Sequence, residues 1–359
     1  NLIMKKHLNS FYKNKRILIT GNSGFKGSWL TILLKEFGAN VMGISIGQVS
    51  KPNMFNLLKL DREIIYLKED IRNYKKIKKK IDKFKPEIIF HLAAKSLVME
   101  SYENPSETIS TNVIGSANIL EYVRNSNYVK SLIYVTSDKV YENSELNRIF
   151  KENDKLGGAD PYSSSKAAAE CLFTAYYNSY FKYKNVGVAT VRSGNVIGGG
   201  DWSENRIIPD LIKSIKNKKK LIIRNPNHTR PWQHVLEPLT GYLELGMKLY
   251  KNKKFSGAWN FGPSSNQNLN VKNLLKYMSH KLEVNLNASI KKSKFKEKKF
   301  LKLSSSKAKK QLNWKSKLNL NQTLDFTSDW YRVYLNKKIN KLYKITLNQI
   351  NLYFKLLNK

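Results

Sequence analysis

The sequence predicts an α/β fold, a doubly wound parallel sheet joined to a smaller C-terminal domain. Three observations carry that expectation. Short apolar runs alternate with stretches of helical periodicity as far as Gly200, the pattern of parallel strands linked by right-handed helical crossovers. Gly21, Gly24 and Gly27 directly follow the first run and open the first helical stretch. Beyond Gly200 the alternation stops, and Pro209, Pro226 and Pro231 interrupt the chain.

Taken in order, Arg16–Thr20 is an apolar run bounded by glycine and reads as a buried strand. Trp29 to Phe37 has helical spacing and stops at Gly38, a suitable C-terminal cap. Val41–Ile46 and Ile64–Leu67 are the next strands; a Lys-rich helix separates the latter from Glu87–Leu92. Ser131–Thr136 and Val186–Val191 complete the series. Loops carrying the three prolines follow, then one further strand over Phe255–Phe261, and from Asn268 onward the chain is expected to be helical and Lys-rich. The expected organisation is a Rossmann-type dinucleotide-binding domain over 1–200, with a returning segment near 232–263. Residues 201–231 and 264–359 would form a smaller substrate-binding domain that closes over a cleft.

Of the 359 residues, 41 % are hydrophobic and 25 % charged, which excludes a disordered or fibrous chain. No run reaches the roughly 20 apolar residues of a membrane helix, and Asn1–Tyr12 lacks the apolar block of a signal peptide. Cys171, the one cysteine, can form no internal disulfide, which fits a reducing, cytoplasmic setting. The net charge is +37, from 64 Lys+Arg against 27 Asp+Glu. Only ten of these cations are Arg, and the lysines are not interleaved with aromatics, as base readout and single-strand binding require. The runs Lys75–Lys80, Lys291–Lys299 and Lys307–Lys310 read as solvated faces, and nucleic acid is not the expected partner. A positive field still favours a polyanionic small substrate.

The three glycines allow a tight turn and a close approach of backbone N–H groups to a pyrophosphate at a helix N-terminus. The acid that would grip an NAD ribose about 20 residues on is missing from Gly43–Ser50, and Lys51 could tolerate a 2′-phosphate. The choice between NAD and NADP stays open on that strand. Asp70 fits either an adenine contact or a helix cap. Tyr162 and Lys166, four apart on a helix, share one face, and an ammonium there is expected to stabilise a phenolate. Ser137, just past a strand end, could bond the same substrate hydroxyl. Such a Ser–Tyr–Lys set suits oxidation of an alcohol to a ketone. His91 is expected to serve structure, and no His/Cys spacing suggests a metal.

Gly21-x-x-Gly-x-x-Gly27, His91-Leu-Ala-Ala94, Asn112 and Tyr162-x-x-x-Lys166 resemble the extended short-chain dehydrogenase/reductase family. Within it the chain is similar to the CDP-glucose 4,6-dehydratases. That likeness rests on Gly24–Leu30, Thr136–Asn143, Gly194–Trp202, Ile223–Pro226, Arg230–Pro238, Gly257–Pro263 and Leu301–Leu303. The resemblance implies NAD as cofactor, CDP-glucose as substrate and a homodimer or homotetramer. Gly21, Asn22, Gly24, Phe25, Lys26 and Gly27 would hold the cofactor diphosphate. Asp70, Ile71, Leu92, Ala93, Ala94 and Asn112 would line the rest of its site, with Tyr162 and Lys166 at the nicotinamide end. Tyr162 would act as base on the sugar C4 hydroxyl, Ser137 would hold that hydroxyl, and Asp138 and Lys139 would supply the acid and base for eliminating water across C5 and C6. Asn195, Arg206 and Arg230 would grip the substrate. The chain departs from the family at Ser193, Phe300 and Ser304, none of them in the Ser–Asp–Lys–Tyr–Lys set. A 4-epimerase of the same fold would need only Ser137, Tyr162 and Lys166; a non-catalytic regulatory protein would need neither Tyr162 nor Lys166.

Overall fold

The computed structural model describes residues 3–48, 50–142, 148–263, 267–291 and 301–356. Seven strands form the central sheet: β1 (Arg16–Thr20), β2 (Asn40–Ser45), β3 (Ile65–Lys68), β4 (Ile88–His91), β5 (Ser131–Val135), β6 (Gly187–Ser193) and β7 (Gly257–Phe261). Their order is β7-β6-β5-β4-β1-β2-β3, and every pairing is parallel. Strand order reverses between β1 and β4, so the crevice at the C-terminal ends of these two strands is where a ligand is expected.

Apolar runs rather than alternating ones form this sheet because both of its faces are covered. Ile17 and Ile19 point into one core, which runs from Leu8 and Tyr12 through Trp29 and Trp259 to Trp330, Tyr353 and Phe354. Leu18 points the other way, into a second core with Ile89, Leu132, Ile77, Ile119 and Phe173. The helix Ile3–Tyr12 belongs to the first core, and the Tyr12 hydroxyl donates to the Leu243 carbonyl at 2.6 Å. No described helix is long and apolar enough to cross a membrane.

Several expectations need correcting in detail. The helix after β1 runs over Phe25–Glu36 and so begins four residues before Trp29; the small and charged residues of its first turn hide its periodicity. Pro209 lies not in a loop but inside the helix Ile207–Asn217, in the first turn, where its missing N–H costs no hydrogen bond. Residues from Asn268 are not uniformly helical. Asn268–Asn270 pairs antiparallel with Thr229–Pro231. Three more short parallel pairs join Gln233–His234 to Val196–Ile197, Ala288–Ile290 to Leu221–Ile223, and Lys302–Leu303 to Ile149–Phe150. Strands of two or three residues are too short to show a period of two. Of the lysine run 291–299, residues 292–299 lie outside the described residues, as does Phe300.

A buried ion pair ties the helix Pro161–Ser179 to the sheet. Arg192 of β6 donates to the Glu170 carboxylate through Nε at 2.7 Å and Nη2 at 2.8 Å, and both side chains are 3 % exposed. The hydroxyls of Thr136 and Thr190 donate to the same carboxylate at 2.5 and 2.9 Å. Arg192 Nη1 also donates to the Tyr141 hydroxyl, which donates in turn to Asn260. Removing one partner of a buried pair strands the other charge, at about 3–5 kcal/mol. Glu170→Ala should therefore lose about that much stability in urea unfolding; a loss below about 1 kcal/mol would show that the pair is dispensable.

Candidate active site

A cleft of about 1770 Å³ opens at the C-terminal ends of the strands. At its floor, β1 leads into the glycine turn. Gly21 has φ +74°, and a Cβ there would stand 2.6 Å from the Ala93 nitrogen; a Cβ on Gly27 would stand 2.2 Å from the Gly21 oxygen. The helix Phe25–Glu36 starts beyond Gly24 with no side-chain cap, so its free N–H groups are left for another acceptor. Gly24 itself lines the cleft, opposite Leu92, Ala93 and Ala94. This cradle fits a dinucleotide diphosphate: backbone donors are exposed where side chains would block approach. Along the outer wall, Ser45, Ile46, Gln48, Ser50 and Lys51 follow β2 without an acid.

Two residues expected to touch cofactor stand behind this wall. Asn22 is fully buried and its amide is packed against Gly43. Asn112, in a π-helical turn over Ser110–Gly115, accepts from the Lys95 N–H and donates to the Lys95 carbonyl and to the Ser165 hydroxyl at 2.8 Å. Its amide thus braces the helix that carries Tyr162 and Lys166. Asp70 and Ile71 line the cleft. The Asp70 carboxylate takes a bidentate contact from Arg72 at 2.6–3.1 Å, which holds it below the usual carboxylate range. The helix Tyr74–Phe84 has Asn73, not Asp70, at its cap position. His91 is buried between the Thr20 and Ser116 hydroxyls, at 2.6 and 2.8 Å, and burial pushes it down to about 3.

The chemistry-bearing residues converge on the cleft. Ser137 follows β5; its hydroxyl donates to Asp138 Oδ1 at 3.0 Å and accepts from the Lys139 N–H at 3.2 Å. Tyr162 enters from the first turn of the helix Pro161–Ser179, whose start is fixed by a capping box between Asp160 and Ser163. Lys166 stands one turn further on and reaches toward the Val135 carbonyl at 3.4 Å. Asn195, Arg206 and Arg230 line the same cleft. Arg206 pairs with Asp201 at 3.2 Å, and Arg230 donates to the Thr229 carbonyl.

Burial dominates the proton affinities here. It pushes Tyr162 up to about 12, with the Ser137 hydroxyl opposing it and Asp138 adding to it. Burial outweighs the charges and hydrogen bond that favour the phenolate, Arg206 and Ser137, so the phenolate expected beside Lys166 is not favoured by the protein alone. Burial also pushes Lys166 down to about 8, against the pull of Glu170. The Asp138 carboxyl is raised by burial, against Lys139, Ser137, Lys26 and Arg230, and so holds a proton more readily than an ordinary carboxylate. Lys26, pushed down to about 8 by burial and then by Arg206, donates to Ser193 Oγ at 2.7 Å, which the Tyr242 hydroxyl also reaches. The serine at 193 thus gives Lys26 a partner. Sequence reasoning missed Glu170 and Asp201, although Glu170 lies four residues after Lys166 on the same helix face.

Comparisons with known proteins show the family and the fold. The family model for GDP-mannose 4,6 dehydratase matches residues 18–327. A CDP-glucose 4,6-dehydratase from Salmonella typhimurium is 42 % identical over 347 residues, covering 91 % of this chain and 93 % of that protein. Among solved structures, the dTDP-glucose 4,6-dehydratase of Bacillus anthracis in complex with NAD superposes with a TM-score of 0.74 at 23 % identity, over 92 % of this chain and 99 % of that one. The UDP-glucose 4-epimerase of Thermotoga maritima gives a TM-score of 0.78 at 22 % identity, over 89 % and 99 %.

A lysine forced from 10.5 to about 8 lowers stability at neutral pH, on the order of 3 kcal/mol. Lys166→Met should therefore raise the urea midpoint at pH 7. Its advantage should shrink as pH rises from about 8 to above 10.5, where the unfolded chain binds a proton that the folded one has lost. A midpoint that falls at pH 7 would refute this account of the site.

Proposed function

The chain belongs to the GDP-mannose 4,6-dehydratase family, and from that premise we propose that it converts CDP-glucose to CDP-4-keto-6-deoxyglucose with NAD as cofactor. One observation carries the reading beyond a simple alcohol oxidation. Asp138 and Lys139 stand directly beside Ser137, in the cleft that Tyr162 and Lys166 enter. A 4-epimerase has no use for that second acid–base pair.

NAD⁺, when bound, supplies the two-electron oxidant for C4 and afterwards returns the same two electrons to C6. Gly21, Gly24 and Gly27 would hold its diphosphate, and Lys166 its nicotinamide ribose. Ser137 holds the C4 hydroxyl, and Tyr162 takes the proton from that oxygen. A phenol pushed up to about 12 needs added positive charge to do this near neutral pH. Lys166 supplies part of that charge, and a cationic nicotinamide, when bound, would add to it.

Once C4 is a ketone, the C5–H bond is acidified. Lys139 removes the C5 proton, and the raised affinity of Asp138 for its proton suits it to protonate the leaving C6 hydroxyl, so that water departs. Reduction at C6 and return of a proton to C5 complete the reaction without net use of NAD. Arg206 and Arg230 neutralise the substrate diphosphate through guanidinium contacts.

Incubation with CDP-glucose should give the 4-keto-6-deoxy sugar by NMR, with no build-up of reduced nicotinamide. A C4-epimerised sugar as the only product would replace this reading with the epimerase one. Tyr162→Phe should slow turnover on the order of 10²–10⁴-fold, the usual cost of a lost general base.

Lys139→Met separates the halves of the reaction. It should develop the absorbance of reduced nicotinamide on mixing with substrate, yet release no product and exchange no solvent deuterium into C5. Wild-type turnover in that variant would remove Lys139 from the mechanism.

A further inference from the structure

Beyond Arg206, the cleft continues into a part that the chemistry above does not use. Asp210 lies one helical turn after Arg206, its N–H donating to the Arg206 carbonyl at 2.9 Å. Arg224 follows the strand Leu221–Ile223, in the Ile223–Pro226 segment. Both side chains line the cleft, together with Pro209 and Ile223. The charges that act on Asp210 are Arg224, Lys213 and Glu204, whereas Arg206 and Asp138 act on Tyr162. Asp210, one turn from Arg206, is thus within reach of the nucleoside of a substrate whose diphosphate Arg206 holds, and Arg224 stands beside it.

The two side chains form a loose pair. Arg224 Nη2 is 3.7 Å from Asp210 Oδ2, and each side chain is about a quarter exposed. That distance is too long for a hydrogen bond, so both groups retain capacity for a third partner. Arg224 Nη1 is anchored on the Asn205 side-chain oxygen at 2.9 Å. The Asn205 N–H in turn donates to the Asp210 carboxylate. The pair is thus oriented without being saturated.

A carboxylate only accepts hydrogen bonds and a guanidinium only donates them. Side by side they match a pyrimidine edge that offers a donor next to an acceptor. Cytosine offers this arrangement, with its exocyclic amine beside N3. Uracil and thymine reverse it, with O4 accepting and N3–H donating, and the amine of cytosine is the group carboxylates are known to take. Ile222, about half exposed, adds an apolar side chain to this part of the cleft. Taking the proposed reaction of a nucleoside diphosphate sugar as given, we infer that Asp210 and Arg224 read the nucleobase and select cytosine, Asp210 accepting from the amine and Arg224 donating to N3.

Calorimetric titration of the NAD-loaded protein with CDP and with UDP tests this. The wild type should bind CDP about ten-fold or more tightly than UDP, within the range one matched base contact provides. Asp210→Asn should weaken CDP about ten-fold and leave UDP unchanged or slightly improved, because an amide can also donate to O4. Arg224→Gln should likewise reduce the preference for CDP, and serves should Asp210→Asn fail to fold. If the pair is only a brace between helix and strand, both ligands will weaken equally or neither will change, and either result overturns the inference. Turnover of CDP-glucose is measured alongside. A wild type that prefers CDP and loses that preference at Asp210→Asn, yet makes no 4-keto-6-deoxy product, would count against the reaction and not against the base-reading pair.

Discussion

The Glu170 carboxylate is the point on which the rest of this site depends. It stands on the helix that carries Tyr162 and Lys166, and it is gripped by Arg192 and Thr190 of β6 and by Thr136 at the end of β5. Ser137, Asp138 and Lys139 follow Thr136 directly. One buried anion therefore sets the height of the helix against the strand ends, and with it the distance between the two halves of the proposed catalytic set. The cost of burying that charge is offset only because four donors converge on it. Asn112 makes the second tie, through Ser165, on the opposite side of the same helix. Neither side chain lines the cleft, yet both govern what does.

Desolvation is the common cause behind the unusual proton affinities of the site. Tyr162, Asp138, Lys26 and Lys166 are each shifted toward their neutral forms, and burial is the largest cause in every case. Such a set is poorly suited to ionic chemistry on its own. It is well suited to respond to charges brought in by ligands, because each added charge acts across a medium that screens it weakly. This is how a phenol at about 12 and an ammonium at about 8 can be complementary parts of one base. The phenol is held back until positive charge arrives beside it.

The sheet was legible because parallel strands covered on both faces appear as unbroken apolar runs, and all seven were found within two residues. The glycine turn and the Tyr162–Lys166 helix were legible because their spacing encodes geometry directly. The short strand pairs were not, since two residues carry no period, and Pro209 misled because proline is tolerated at helix starts as readily as in loops. The proton affinity of Tyr162 is not legible for a different reason. Spacing shows that Lys166 shares its face, but it cannot show how much water both groups lose. The role of Asn112 was hidden likewise: the motif marks the residue, while its partners, Lys95 and Ser165, come from distant segments.

The cationic excess of the chain acquires a local meaning in the cleft. Lys26, Lys166, Arg206 and Arg230 line it, and Arg206 and Lys166 depress the proton affinity of Lys26. Crowding like charges in a buried region lowers the stability of the protein alone. The proposed ligands, a dinucleotide and a nucleoside diphosphate sugar, are both anionic, and each relieves that crowding as it binds. Any ligand that binds the folded state raises its stability with concentration; here part of that gain is the removal of repulsion already built into the fold. The cleft is therefore least comfortable before its ligands arrive, because the cations that would hold two diphosphates repel one another until those anions are in place.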